Sequence, residues 1–395
     1  MRFSSRIILV LLSLVLIDCG NNVSQHQKMR FEEGVEQIRK DLRNAGLAVV
    51  LVKDKKIAYS ATFGVKNLVS NEPLHEDDMF RIASISKSFT TTALLQLVEQ
   101  GKVDLQTDVS MLAGYVIRNP LYPSTPITLE MLLSHTSSLN DSEGYYNLDL
   151  IADTLNPNRK KCFNAYEPGH GYEYCNLNLN LAGSFLEKIS CERFDQYIQN
   201  HILTPLQIEG GYCVDSLDRS KFVSLYDLSE GEPRCTDLEA YAPRSDGIAT
   251  YRFGYDTPLF SPTGGMKMSA LSLARYMIMH MNGGVSDSGY RIISDESEME
   301  MRRERSEQEH YGLTLWQTSE YSDGEVLIGH TGGAYGMRSA MFFNPEKKYG
   351  FVVISSGALE HTPQSDRDAD PSGSAADEGN ILTRTLKLMY ECFIK

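Results

Sequence analysis

Ser84 and Lys87 are the two residues whose types and spacing most directly suggest chemistry. They stand three positions apart at the start of residues 81–101, where the apolar pattern predicts a helix that ends at Gly101. Residues three apart share one face of a helix, so the lysine amine could take the serine proton. Unpaired backbone N–H groups at a helix start favour negative charge on an attacked carbonyl. The pair therefore predicts a nucleophile and its base.

The alternative is that Ser84 only caps this helix. It has to be considered because Ser-x-x-Lys arises by chance in many chains. Two more groups bear on the choice. Tyr174 and Asn176 lie two residues apart on one loop, so both can face a shared cleft. His330 and Thr331 end a predicted strand, whose exposed edge could align a substrate backbone.

Together these pieces resemble the penicillin-recognising serine hydrolases related to class C β-lactamases and D-alanyl-D-alanine carboxypeptidases. The resemblance covers roughly residues 30–395 and rests on Ser-Ile-Ser-Lys at 84–87, Tyr-Cys-Asn at 174–176 and His-Thr-Gly at 330–332. The related class A enzymes carry Ser-Asp-Asn as the middle element. The fold that it implies is α/β (α+β), with an antiparallel sheet flanked by helices and an inserted helical region.

The resemblance implies a role for each residue. Ser84 would attack an acyl carbonyl and form an acyl-enzyme, while Lys87 and Tyr174 share the transfer of protons. Asn176 would hold Lys87 and a substrate amide by hydrogen bonds. The backbone N–H groups of Ser84 and Gly333 would form the oxyanion hole.

Substrate contacts would come from the strand that carries the third motif, through Thr331 and Gly332. His330 stands where class C β-lactamases usually have lysine, and imidazole is mostly neutral at pH 7. Histidine at this position is similar to the carboxypeptidases and esterases of the family, which ranks β-lactamase activity lower. His135 belongs to a loop that is structural in the family, and Ser138 replaces the glycine that is usual there.

The cysteines leave two readings open. The chain has seven, and setting Cys19 aside leaves six, which in an exported protein suggests up to three disulfides. The alternative is six buried thiols. Cys175 stands where the family commonly has serine or alanine, and a disulfide from it to Cys162 would pin the Tyr174 loop. Neither Cys-x-x-Cys nor His-Glu-x-x-His occurs, so the sequence supports no metal site, and we expect no cofactor.

Residues 1–19 are typical of an export signal. A positively charged start is followed by the apolar run Ile7–Ile17, which is too short to span a bilayer. The following Asp18-Cys19 resembles a bacterial lipoprotein processing site, although a small residue is expected where Asp18 stands. We therefore expect a protein of the bacterial periplasm or one anchored to a membrane through a lipid on Cys19.

The formal net charge of −14 argues against a nucleic-acid partner, and 42% hydrophobic residues are enough for a sizeable core. After a tether at 20–30, we expect a single domain at 31–395. Its α/β part would be built from 31–103 and 310–395, with the helical insertion at 104–309. The apolar periodicities predict strands at 47–53, 57–65, 312–316, 325–331, 337–343 and 350–355, and helices at 31–42, 127–133, 177–189, 271–281 and 381–393. The polar run 361–380 is predicted to be a loop.

The prediction is thus an exported serine hydrolase that acts through an acyl-enzyme on a small amide or ester. The favoured substrate is a D-alanyl cell-wall peptide. An esterase or a β-lactamase of the same family is the nearest alternative. A penicillin-binding sensor that keeps its acyl group is the alternative from another class. Neither the substrate nor the oligomeric state follows from the sequence.

Overall fold

A computed structural model describes residues 23–152, 156–229, 232–306, 308–357 and 380–395. The predicted export signal with Cys19 and nearly all of the predicted loop at 361–380 lie outside these ranges. The helices are α1 (Gln25–Asp41), α2 (Ser86–Glu99), α3 (Val109–Ala113), α4 (Leu129–Leu133), α5 (Asn176–Ser190), α6 (Phe194–Ile198), α7 (Asp237–Ala240), α8 (Ser245–Ala249), α9 (Ala270–Met281), α10 (Asp295–Arg302) and α11 (Ile381–Phe393). The strands are β1 (Gly46–Lys53), β2 (Lys56–Asn67), β3 (Glu72–Pro73), β4 (Phe80–Arg81), β5 (Gly210–Gly211), β6 (Tyr226–Ser229), β7 (Glu232–Cys235), β8 (Lys267–Met268), β9 (Trp316–Thr318), β10 (Leu327–Ala334), β11 (Met337–Asn344) and β12 (Tyr349–Ser355).

The central sheet joins the two ends of the chain. Its seven strands lie in the order β3-β2-β1-β12-β11-β10-β9. Strand β1 pairs antiparallel with β12, from Leu47 opposite Ser355 to Lys53 opposite Tyr349. This antiparallel sheet, with helices against it, confirms the predicted fold class.

Alternation along the strands separates two cores. Leu47, Val49 and Leu51 of β1 face one side of the sheet, where they pack with apolar residues of α1 and α11. Ala48 and Val50 face the other side, in the large core shared with α2, α5 and α9. Because side chains alternate faces along a strand, both sides of this buried strand are apolar. The second core is the one that lies under the site described below.

Two predicted boundaries were wrong. Helix α1 begins at Gln25, so residues 25–30 are helical and not a tether, because Ser24 and Gln27 form a capping box at its start. The predicted strand at 312–316 contributes only its last residue, Trp316, to β9. Thr314 has a left-handed φ of 58°, which breaks the extended backbone before that point. The other predicted strands and helices are present, with shifted ends.

Residues 104–309 carry most of the shorter helices, one two-stranded sheet, and two strands of a three-stranded sheet that is completed by β4. In the three-stranded sheet, β8 pairs with β4, placing Met268 opposite Phe80 and Lys267 opposite Arg81. This pairing fixes the backbone that leads into Ser84. None of the helices in the described ranges is long and apolar enough to cross a membrane.

Candidate active site

Ser84 lies in a 3₁₀ turn, Ala83–Ile85, that joins β4 to α2, and not in the α-helix itself. Ala83 has a φ of 45°, an uncommon left-handed conformation that redirects the chain between strand and helix. The serine side chain is therefore presented at the junction of the small sheet and the helix. Only 8% of Ser84 is exposed, so the serine is largely shielded from solvent.

Strand β10 lies directly against this turn at Gly332. A Cβ atom added to Gly332 would lie 2.5 Å from the Ile82 carbonyl oxygen and 3.0 Å from the Ser84 backbone nitrogen. The Ser339 hydroxyl of neighbouring strand β11 donates a hydrogen bond to the same carbonyl, at 2.8 Å. Glycine is required at 332 because the turn and the strand approach too closely for any side chain.

Lys87 is completely buried, and its Nζ atom lies 3.0 Å from Ser84 Oγ. Nζ also donates a hydrogen bond to the Thr263 carbonyl oxygen, at 2.9 Å. Burial lowers the pKa of Lys87 to about 7, although the negative charge of Asp141 acts in the opposite direction. Near pH 7 the amine can therefore be neutral and accept the serine proton.

The Tyr174 ring lies against the lysine amine. Lys87 Nζ is 4.7 Å from the ring centroid. The same ring also lies near two histidines: its centroid is 4.5 Å from that of the His135 ring and 6.1 Å from that of the His330 ring. The first three predicted residues, Ser84, Lys87 and Tyr174, are thus in one cluster.

Asn176 lies in the same cluster but does not bond to Lys87, so the predicted direct contact was wrong. Its Oδ1 atom accepts a hydrogen bond from the Thr263 hydroxyl at 2.6 Å. Its Nδ2 atom donates to Asp141 at 3.0 Å. Thr263 stands between the amide and the amine, because its carbonyl oxygen takes the Lys87 bond.

Sequence reasoning missed Asp141. Its carboxylate accepts the backbone N–H groups of Asn176 at 2.7 Å and Leu177 at 2.9 Å. These are the first N–H groups of α5, whose own N-cap residue, Cys175, makes no side-chain cap. Asp141 therefore fixes the start of α5 and with it the direction of Asn176. The sequence carries one signal for such a residue: position 175, at the N-cap of α5, does not hold one of the residue types that usually cap a helix.

The predicted Cys162–Cys175 disulfide was wrong, and the six cysteines of the described ranges are all free thiols. The Cys175 thiol donates to Asp141 Oδ1 at 3.2 Å, whereas Cys162 donates to the Leu150 carbonyl oxygen at 3.7 Å. Each sulfur therefore has its own acceptor. Burial raises the pKa of Cys175 well above its usual range, which keeps this thiol protonated.

His330 is completely buried and faces inward. Its Nε2 atom lies 3.0 Å from the Tyr311 hydroxyl, and its Nδ1 atom lies against the carbonyl oxygen of Thr331. Thr331 is also buried, whereas Gly333 is partly exposed farther along the strand. The third motif therefore lies beside the cluster, but the His330 imidazole points towards Tyr311.

His135 holds the Tyr174 loop. It has a left-handed φ of 60°, and its carbonyl and Nδ1 atoms accept the backbone N–H groups of Glu173 and Cys175. Burial lowers the pKa of His135 well below its usual range, so the ring stays neutral. Ser138 adopts a left-handed φ of 64°, the conformation that a glycine would take without cost. These contacts agree with a structural role for the loop.

The protein-family model described as Beta-lactamase matches residues 31–372. Among curated proteins, the chain is similar to Protein flp of Staphylococcus aureus (strain MW2), with 23% identity over 332 residues, 81% of this chain and 61% of the relative. The chain thus spans about three fifths of the length of that relative.

Solved structures with this fold include the following two. One is the octameric penicillin-binding protein homologue from Pyrococcus abyssi, with a TM-score of 0.68 and 24% identity, covering 84% of this chain and 74% of that one. Another is the D-amino acid amidase from Ochrobactrum anthropi SV3 in complex with D-phenylalanine, with a TM-score of 0.66 and 18% identity, covering 91% and 99%.

The family match spans the three motifs and both parts of the central sheet. The resemblance inferred from those motifs is confirmed. The chain belongs to the beta-lactamase family of serine hydrolases.

Proposed function

We propose that the protein is an exported serine hydrolase that cleaves a small amide or ester through an acyl-enzyme on Ser84, with a D-alanyl cell-wall peptide as the favoured substrate. The observation that carries the proposal is the contact between Lys87 Nζ and Ser84 Oγ at 3.0 Å, inside a site that lowers the pKa of the amine to about 7. A buried, largely neutral amine beside a hydroxyl is the arrangement that nucleophilic catalysis needs.

In the first step, Ser84 Oγ bonds to the substrate carbonyl carbon while its proton passes to Lys87 Nζ. The negative charge on the carbonyl oxygen is stabilised by the backbone N–H groups of Ser84 and Gly333. The bond to the leaving amine or alkoxide then breaks, and that group takes a proton delivered by Lys87 with Tyr174. The acyl group remains on Ser84.

In the second step, a water molecule gives a proton to the same amine and attacks the acyl carbon. The ester bond to Ser84 breaks, the hydroxyl recovers its proton, and a carboxylic acid leaves. Asn176 would hold the substrate amide, with Thr331 and Gly332 aligning its backbone along β10. Thr263 and Asp141 keep the Asn176 amide in place for this role.

The ranking of substrates rests on two points. A solved structure that shares this fold is described as a D-amino acid amidase, and its complexes hold D-phenylalanine, L-phenylalanine or L-phenylalanine amide, which supports an amino acid amide as the substrate class. At position 330, a buried histidine in contact with Tyr311 supplies no fixed charge for the carboxylate of a β-lactam. This ranks β-lactamase activity below amide or ester hydrolysis.

A substrate panel tests the proposal. Purified wild type and the Ser84→Ala variant are assayed side by side on D-alanyl-D-alanine peptides, p-nitrophenyl esters and nitrocefin. We expect turnover of at least one amide or ester by wild type and a loss of about 10³-fold or more in the variant. Full activity of the variant on the best substrate would overturn the assignment of Ser84.

The proposal also places the protein outside the cytoplasm, attached through a lipid on Cys19. Support comes from the sequence of residues 1–19, with its charged start and short apolar run. Growth of an expressing bacterium with an alkyne-tagged fatty acid should label the full chain and leave Cys19→Ser unlabelled. Equal labelling of both proteins, or of neither, would contradict lipidation at this residue.

A further inference from the structure

A cavity of about 500 Å³ lies beside the candidate active site. Ser84 is not part of its wall, but three wall residues connect it to the catalytic cluster: Arg81, Ser261 and Tyr335. Arg81 precedes Ser84 by three residues, and Tyr335 follows strand β10 directly. A Cβ atom added to Gly264 would lie 3.7 Å from Arg81 Nη2 and 3.8 Å from the carbonyl carbon of Ala83. Gly264 therefore lies between the guanidinium group and the peptide that leads into Ser84.

Arg81 is 3% exposed, yet its guanidinium group is poorly satisfied. It makes two long hydrogen bonds, to the Ala240 carbonyl oxygen at 3.3 Å and to Ser261 Oγ at 3.5 Å. Its buried Nε atom has no hydrogen-bond partner in the described part of the chain. The group also lies 5.0 Å from the Tyr335 ring centroid, which orients it along the cavity wall. A buried charge of this kind is costly unless something pairs with it.

Arg244 is the second arginine of this wall. Its backbone N–H donates to Asp215 at 2.7 Å, but its buried Nε atom also lacks a partner among the described residues. Burial lowers the pKa of Arg244, and the positive charge of Arg81 adds to this effect. The positive charges of the two guanidinium groups therefore repel each other.

A third basic residue, Lys267, stands opposite Arg81 in the β4–β8 pair. It is completely buried, and its Nζ atom donates to the Tyr212 carbonyl oxygen at 2.8 Å. Burial and the charges of Arg81 and Arg244 lower the pKa of Lys267 well below its usual range. The lowered pKa of Lys267 agrees with uncompensated positive charge on Arg81 and Arg244 on this side of the nucleophile.

The acidic residues of the wall do not neutralise the two arginines. Glu239 pairs with Arg234, and Asp256 pairs with Arg252, each at 2.8 Å. Asp149 is the remaining carboxylate of the lining. Within residues 23–152, 156–229, 232–306, 308–357 and 380–395, neither Arg81 nor Arg244 forms an ion pair.

We propose that this cavity binds a carboxylate of the substrate through the guanidinium groups of Arg81 and Arg244. Guanidinium groups pair with carboxylates through parallel, charge-assisted hydrogen bonds. A bound carboxylate would therefore give both arginines a partner and offset the cost of burying their charge. The inference rests on the proposed hydrolase and adds a substrate class to it: acyl compounds that carry a negative charge near the bond that Ser84 attacks.

The test compares charged and neutral forms of one substrate. The mono-p-nitrophenyl esters of succinate, glutarate and adipate are assayed beside the same compounds with the free carboxylate methylated. Release of p-nitrophenolate gives kcat/KM for each, and the result is the ratio of the charged to the neutral form. We expect wild type to favour the charged form of the best diacid by about tenfold or more.

The Arg244→Gln variant should lower that ratio by about 10- to 100-fold, mainly through KM. Arg81→Gln should act in the same direction. Damage to the fold would lower the rates for both forms together and leave the ratio unchanged. Arg252→Gln is the matched control, because this arginine lines the same cavity but is paired with Asp256, and its ratio should equal that of wild type.

Equal rates for charged and neutral esters in wild type would overturn the carboxylate site, as would an unchanged ratio in both Arg244→Gln and Arg81→Gln. In either case the neutral esters would still be cleaved, so the hydrolase would stand. If wild type cleaves none of the six esters but turns over a D-alanyl-D-alanine peptide, the carboxylate site falls and the hydrolase stands. No turnover of either class of substrate would overturn both proposals.

Discussion

The Asp141 carboxylate accepts the backbone N–H of Asn176 at 2.7 Å and its side-chain amide at 3.0 Å. One residue thus caps helix α5 and orients the Asn176 amide, which is joined to Lys87 through Thr263. The same negative charge acts on Lys87, whose pKa it raises against the larger effect of burial. Asp141 is therefore a positioning residue with an electrostatic effect on the base.

Asp141→Asn should lower kcat/KM by about 10- to 100-fold, because the variant loses one of the two acceptor atoms that fix Asn176. Removing the negative charge should also lower the pKa of Lys87, so the acid limb of the pH profile should move to lower pH. A pH series of kcat/KM on one ester measures both effects.

Asp108→Asn is a suitable control for that variant. Asp108 caps α3 by accepting the Ser110 backbone N–H at 2.9 Å and is not part of the catalytic cluster. Asparagine is also a good N-cap, so this variant should lose mainly the ion pair of Asp108 with Arg118, which should cost about 1 kcal/mol or less without moving the pH profile. An equal shift of the acid limb in both variants would show that the effect does not come from the charge of Asp141.

The rate of acylation should rise with pH and level off above about 7. Below that pH, Lys87 is protonated and cannot accept the Ser84 proton, whereas above it the amine is neutral. Single-turnover measurements on an activated ester between pH 5 and 9 follow this step directly. A flat profile through pH 7, with Ser84 acylated at every pH, would mean that Lys87 is not the base.

Lys87→Met should be inactive but more stable than wild type, by about 1 to 3 kcal/mol at pH 6. The lysine is fully buried, and its pKa in the folded chain lies below its usual value of 10.5. Between about pH 7 and 10.5 the unfolded chain therefore binds more protons than the folded one, so wild-type stability rises with pH over this window.

The advantage of Lys87→Met should consequently be largest at pH 6 and smaller at pH 9, as measured by urea unfolding at the two values. Loss of its hydrogen bonds to Ser84 and Thr263 offsets part of the gain. A variant that is less stable than wild type at pH 6 would show that these two bonds outweigh the cost of burying the amine.

Gly332→Ala should reduce kcat/KM by about 100-fold, because the new methyl group would displace the turn that carries Ser84. Gly211→Ala is the comparison, since a Cβ atom at 211 meets its nearest neighbours at ordinary distances of 3.5 and 3.6 Å. Rates on a p-nitrophenyl ester and melting temperatures of both variants separate local displacement from general damage. Near-normal activity of Gly332→Ala would contradict the close approach of β10 and the turn.

Some features could be predicted because they depend on local spacing. Ser84 and Lys87 meet because three residues span one turn of a helix, and the faces of β1 follow from strict alternation. The three motifs also identified the family. These are properties that a short stretch of sequence carries by itself.

Other features depend on contacts between distant parts of the chain. The Lys87 bond to Thr263 uses a backbone carbonyl, which every residue has and no residue type signals. Cys162 and Cys175 remained a possible pair in the sequence, but each thiol has another acceptor in the fold. The inward orientation of His330 requires knowing that Tyr311 lies beside β10.

The central claim is that Ser84 is the nucleophile, and intact-mass measurement with a fluorophosphonate and a penicillin tests it most directly. Wild type should gain one fluorophosphonate adduct, mapped to Ser84 by peptide analysis, and Ser84→Ala should gain none. The penicillin adduct on Ser84 should form and then disappear over time, as expected for an enzyme that completes hydrolysis. An adduct that persists would point to a sensor, and an unmodified Ser84 under both probes would contradict the account.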